Sequence, residues 1–163
     1  MDQQDVTNEL AKPGAQELLQ SSNLLRLAYD GVDGSPRVIP IGFHWDGARI
    51  FVCTATVAPK VKALQKNPRV AVTIDTEAFP PHLLLIRGTA QVEIVDGVPD
   101  EFLKASSKGG VPPEQWDGWL AGVQALYKQM ARISITPEWA KFMDFETSAP
   151  EAVMKLASEA GRA

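Results

Sequence analysis

A single cysteine, Cys53, leaves the chain without an intrachain disulfide or a cysteine-based metal site. It lies in an apolar strand pattern and is read as a small core residue. Histidine is almost as scarce. His44 and His82 are the only two, and neither has a metal-ligand partner at short spacing, so no metal is expected and both are read as packing or surface residues. Basic residues number 16 against 20 acidic ones, for a net charge of −4. That balance removes the positive face by which nucleic-acid binders are known. No apolar run approaches a membrane span, and the opening MDQQDVTNELAKPG lacks the positive-then-apolar order of a signal peptide. A soluble, cytoplasmic protein with no nucleic-acid or membrane partner is expected. There is no Gly-x-Ser-x-Gly elbow, so covalent nucleophilic catalysis is not indicated. Repeats and low-complexity tracts are absent as well.

What is present fits one domain over residues 1–163, with a core at about 24–146 and a tail at 147–163. A short helix is expected at 14–22, with Leu18 and Leu19 facing inward. Strands follow at 24–29 and 37–45 around a turn with two glycines, and Asp46-Gly47 turns the chain into a strand at 49–54. A helix at 59–66 leads to a strand at 69–76 and a loop with consecutive prolines. Residues 82–95 carry the longest strand signal, with Gly88 in its middle as the mark of a bulge or barrel bend. Helices are expected at 99–107 and 114–128, the second placing Trp116, Trp119, Leu120, Val123, Leu126 and Tyr127 near one face, for packing in the core or a dimer or for covering a cofactor groove. The last strands read as 131–136 and 141–146, separated by Pro137 and Glu138, before a tail helix at 149–157. The fold class is mainly β with flanking helices.

The stretch TATVAPKVKALQKNP, from Thr54 to Pro68, carries the chemistry. A strand ends at Thr54, Thr56 adds a second hydroxyl, and Pro59 suits the first position of a helix because its missing N–H has no partner there anyway. Lys60 and Lys62 follow at the positive end of the helix dipole, an arrangement suited to an anion. A capped surface helix with solvated lysines would read the same way from these residues alone.

Five segments in order carry a resemblance: Gly34-Ser-Pro-Arg-Val-Ile-Pro40, Phe43-His-Trp-Asp-Gly47, Thr54 with Pro59-Lys-Val-Lys-Ala-Leu64, Asn67-Pro-Arg-Val70, and Ile86-Arg-Gly-Thr-Ala90. Over about residues 24–145 the chain resembles the split-barrel flavin-binding family typified by pyridoxamine 5′-phosphate oxidase, including its smaller flavin- and deazaflavin-dependent relatives. The resemblance implies a six-stranded antiparallel split β-barrel and a homodimer with the cofactor in a groove between the two barrels. Lys60 would contact the cofactor phosphate, assisted by Thr54, Thr56 and Lys62. Arg37, Val38, Ile39 and Pro40 would run along the flavin ring, with Arg37 the one catalytic candidate, steadying negative charge on the reduced ring; equally, Arg37 reads as a strand-edge charge that resists edge pairing. No motif places a proton donor. The implied activity is hydride transfer between FMN and a small, unidentified substrate. One alternative is an F-420 type deazaflavin coenzyme, whose anionic tail would call on Lys60, Lys62 and Arg69. Another is a non-catalytic binder of flavin, haem or a tetrapyrrole, since a few relatives bind haem through histidine. The full oxidase ends in an arginine-rich segment for its pyridoxal substrate, and residues 130–142 hold no such cluster.

Overall fold

The structure is a computed structural model and describes residues 1–161. Its centre is one antiparallel sheet of seven strands: β1 (Leu24–Asp30), β2 (Pro36–Gly42), β3 (His44–Trp45), β4 (Ile50–Ala55), β5 (Arg69–Asp75), β6 (Leu83–Asp96) and β7 (Gln129–Met143). They lie in the order β2-β1-β5-β6-β7-β4-β3. The expected six-strand count is thus corrected to seven among the described residues, in an open sheet. The reason lies at Phe43, which is fully buried and interrupts the strand expected at 37–45. On one side of it β2 pairs with β1; on the other β3 pairs with β4. One residue therefore carries the chain from one edge of the sheet to the other, and the sheet must curl until its two edges meet there.

A second correction concerns the end of the sheet, where the two expected strands 131–136 and 141–146 are one continuous β7. Proline breaks a ladder because it has no N–H to give, but it is tolerated at a bulge. Arg87 faces Trp139 while Gly88 faces Pro137, so Glu138 is the extra residue and the register shifts there. Glycine is required at this point: a Cβ on Gly88 would stand 2.2 Å from the Thr136 carbonyl oxygen.

Alternation along the strands sends Leu25 and Leu27, Val70, Val72 and Ile74, Leu84 and Ile86, and Ile133 and Ile135 into one core. Each such side chain contributes roughly 1.5–3 kcal/mol when fully buried. The core is capped by α2 (Pro13–Ser21) through Ala15, Leu18 and Leu19, and by α1 (Gln3–Leu10) through Val6 and Leu10. Helix α1 was not expected from the sequence. Asp2 and Asp5 cap it reciprocally, and Glu9 Oε1 accepts a 2.7 Å hydrogen bond from the Phe142 N–H of β7. Helix α3 (Pro59–Lys66) has the expected bounds and pins Val61, Ala63 and Leu64 inward. Beyond β6 lie α4 (Asp100–Lys108) and α5 (Trp116–Leu126). The apolar stripe of α5 is not core in the single chain. No residue of α5 is buried; Trp119 stacks on Phe102 with ring centroids 6.0 Å apart, while Leu126 is 70% exposed. Helix α6 (Glu151–Ala160) buries nothing either. No helix among the described residues is long and apolar enough to cross a membrane.

Candidate functional site

The handover from β4 to α3 is built by local geometry. The Ala58 N–H donates to the Ala55 carbonyl at 3.0 Å, turning the chain, and Pro59 then starts the helix. The residue before the helix is Ala58, so no side chain caps it. Pro59 has no N–H and the Val61 N–H donates to the Ala58 carbonyl at 2.9 Å. The first turn thus has fewer open donors than the sequence pattern promised, and the charge on Lys60 matters more.

Lys60 is half-buried, and its Nζ donates to Thr54 Oγ1 at 3.3 Å. It forms no ion pair among the described residues. Burial alone pulls its pKa below the ordinary lysine value. A cation partly withdrawn from water, with a hydroxyl beside it and no carboxylate against it, is an incomplete ion pair. Thr56 lines a cleft of about 570 Å³ with Ala55 and the junction of α5 and β7 at residues 126–129. Next to it Val57 is 89% exposed. Lys62 is exposed and forms no hydrogen bond or ion pair among the described residues.

Strand β2 forms an edge of the sheet, and its four expected site residues do not face one way. Ile39 packs against the core, whereas Val38, 64% exposed, and Pro40 face outward. The period of two divides what was expected to be a single wall along the ring. Arg37 donates from Nη2 to Asp33 Oδ2 at 2.9 Å across the Gly34 turn. It also lines a cleft of about 360 Å³ with Tyr29, Pro59 and Ala63. The structure thereby brings Arg37 to the first turn of α3, and Thr54 to Lys60.

Three features of this region were not drawn from the sequence. Asp33 holds Arg37, a pairing four residues apart that a turn makes and a straight strand forbids. Tyr29 borders the same cleft from β1. His44 sits under α4, where Lys108 Nζ lies 3.9 Å from the Phe43 ring centroid. Burial, then Lys104 and Lys108, push the His44 pKa down. Cys53 is buried and its thiol is pushed up to about 12, chiefly by desolvation. Among the described residues, no three His, Cys, Asp or Glu side chains converge on a metal position.

A curled antiparallel sheet with a cationic strand-to-helix corner at the end of β4 defines the class of split-barrel proteins. The sequence profile described as pyridoxamine 5′-phosphate oxidase matches residues 11–144, and the chain belongs to that family. The family binds flavins. No curated protein matches the sequence. Among solved structures, the chain is similar to an F420 reductase at 24% identity and TM-score 0.60, over 77% of this chain and 94% of that one. It is similar to the heme storage protein HutZ from Vibrio cholerae at 21% identity and TM-score 0.57, over 82% and 93%. General Stress Protein 26 from Bacillus anthracis aligns at 17% identity and TM-score 0.59, over 83% and 95%. At these identities the likeness is one of fold.

Proposed function

We propose that this protein is an FMN-binding oxidoreductase acting on a small molecule, with the cofactor phosphate held at the β4–α3 corner. The observation that carries the reading is Lys60: a half-buried cation with no counter-ion among the described residues, hydrogen-bonded to Thr54 beside an uncapped helix start. A phosphate monoester supplies the missing charge and accepts from Lys60, Thr54 and Thr56, with exposed Lys62 adding long-range attraction. Arg37 approaches the same turn from β2. The outward side chains of Val38 and Pro40 offer an apolar surface for a flat ring, while Ile39 contributes backbone only. When bound, FMN supplies the hydride chemistry; the chain supplies position, charge and exclusion of water.

The F420 reductase among the structural neighbours favours a second reading, an F-420 type deazaflavin coenzyme at the same corner. The neighbour named a heme storage protein favours a third, in which the chain binds its ligand without turning it over. Titration followed by visible absorbance separates the three. Bound FMN absorbs in the blue, a deazaflavin at shorter wavelength, and haem gives a strong Soret band. Tight FMN binding that Lys60→Ala weakens supports the first reading; binding of haem alone sinks it.

The working unit in this reading is a homodimer of single-domain chains in the cytoplasm, with the cofactor in a groove between subunits. Support comes from the apolar side chains that one copy leaves uncovered, Val38 on β2 and Leu126 on α5 among them.

A further inference from the structure

A third cleft, of about 460 Å³, lies on the outward face of the sheet. Register places Val38 beside Ala28, Ala28 beside Ala71, and Ala71 beside Arg87. Across β2, β1 and β5 this row holds only small or short side chains, so the floor is a flat apolar strip about two strand spacings, or roughly 10 Å, wide. At its far end Arg87 lies over the Trp139 ring, 4.3 Å from the centroid, which holds the guanidinium in place. Arg69 lines the same cleft.

The charges around it are engaged in different ways. Arg37, at the near end, is held by Asp33. The two carboxylates on the rim keep their charge but are oriented by neutral donors: Asp30 accepts from Asn67 Nδ2 at 2.8 Å and Glu138 from Thr89 Oγ1 at 2.6 Å. Arg69 and Arg87 form no ion pair with either, or with any other of the described residues. Two guanidinium groups with their donors unpaired therefore border a flat apolar floor. Guanidinium forks match a carboxylate in a bidentate manner, and a planar ring fits a floor built of methyl groups.

We propose that this cleft binds an aromatic carboxylate, with Arg69 and Arg87 receiving the carboxylate and Ala28 and Ala71 supporting the ring. As an assignment of substrate class it rests on the flavin reading, because Arg37 and Val38 belong both to this cleft and to the strand along which the cofactor ring is placed. A substrate seated here lies beside that ring.

The test is isothermal titration of the full-length protein with benzoate, its neutral isostere benzamide, and inorganic phosphate. Benzoate is expected to bind, benzamide and phosphate each at least tenfold more weakly. Arg69→Gln/Arg87→Gln should weaken benzoate at least tenfold. Ala71→Leu should do the same by filling the floor with no change of charge. FMN affinity and sedimentation of the single Arg87→Gln variant should match the parent. Equal binding of benzamide, tighter binding of phosphate, or benzoate affinity untouched in both the double variant and Ala71→Leu would overturn the proposal. So would a loss of FMN affinity or of the dimer in the single Arg87→Gln variant, which would assign this residue to the cofactor or to a subunit contact. Benzoate binding by a protein that takes up no flavin leaves the cleft standing and sinks only the flavin reading.

Discussion

At the residue scale the physics turns on which charges are satisfied. Lys60 carries its charge against partial burial with one neutral hydroxyl for company. A charge-assisted contact from such a group to phosphate contributes roughly 1.5–3 kcal/mol, so Lys60→Ala should weaken FMN about ten- to a hundredfold in a fluorescence titration and leave the melting temperature nearly unchanged. His44 is a separate case. Its pKa is pushed below 6.5 by burial and by Lys104 and Lys108. The unfolded chain therefore takes up the proton first as pH falls, and stability that is full above 6.5 declines below it toward the folded pKa. Thermal melts between pH 7 and 5 should fall less steeply for His44→Gln than for the parent. The Cys53 thiol, pushed up to about 12, stays protonated and inert. Iodoacetamide at pH 8 should label it in denaturant and spare it in the fold. The Thr54–Lys60 contact was legible because strand end and helix start are adjacent in sequence. The opposed directions of Val38 and Ile39 were equally legible in a period of two, yet the resemblance read the four residues as one surface.

At the scale of elements, the departures between pattern and structure share a cause: a local signal was outweighed by a partner far away. Pro137 reads as a strand break until Gly88 is placed across from it. Gly88→Ala should cost about 3 kcal/mol, because the added methyl meets backbone that cannot rotate aside; a lowered denaturant midpoint would show it, and an unchanged one would mean the bulge relaxes. The N-terminal residues read as polar because Val6 and Leu10 are their main apolar contribution, too thin a stripe to mark a helix without the sheet beneath it. Helix α3 shows the opposite. Pro59 at its start, Asn67 and Pro68 just past its end and an inward Val61, Ala63 and Leu64 agree locally, and its bounds were legible to the residue.

For the whole molecule, the strands were readable one at a time, but their order was not, since hydrophobic alternation says which face is buried and not which strand lies next door. The outward faces of β2 and α5 are where subunits should meet. Sedimentation at micromolar concentration should give a dimer, and dilution to monomers should release the cofactor; a monomer that keeps FMN tightly would rule out a shared groove. The sheet order also bears on the protein's birth. β4 hydrogen-bonds to β7, with Ile50 facing Ile135, while its other neighbour, β3, is two residues long. On the ribosome the apolar run of β4 is made early and its main partner comes near the end, roughly 4–17 s later at about 5–20 residues per second. For that interval the nascent chain carries an open, sticky strand edge, and its yield in cells should depend on holdase chaperones more than its finished stability would suggest.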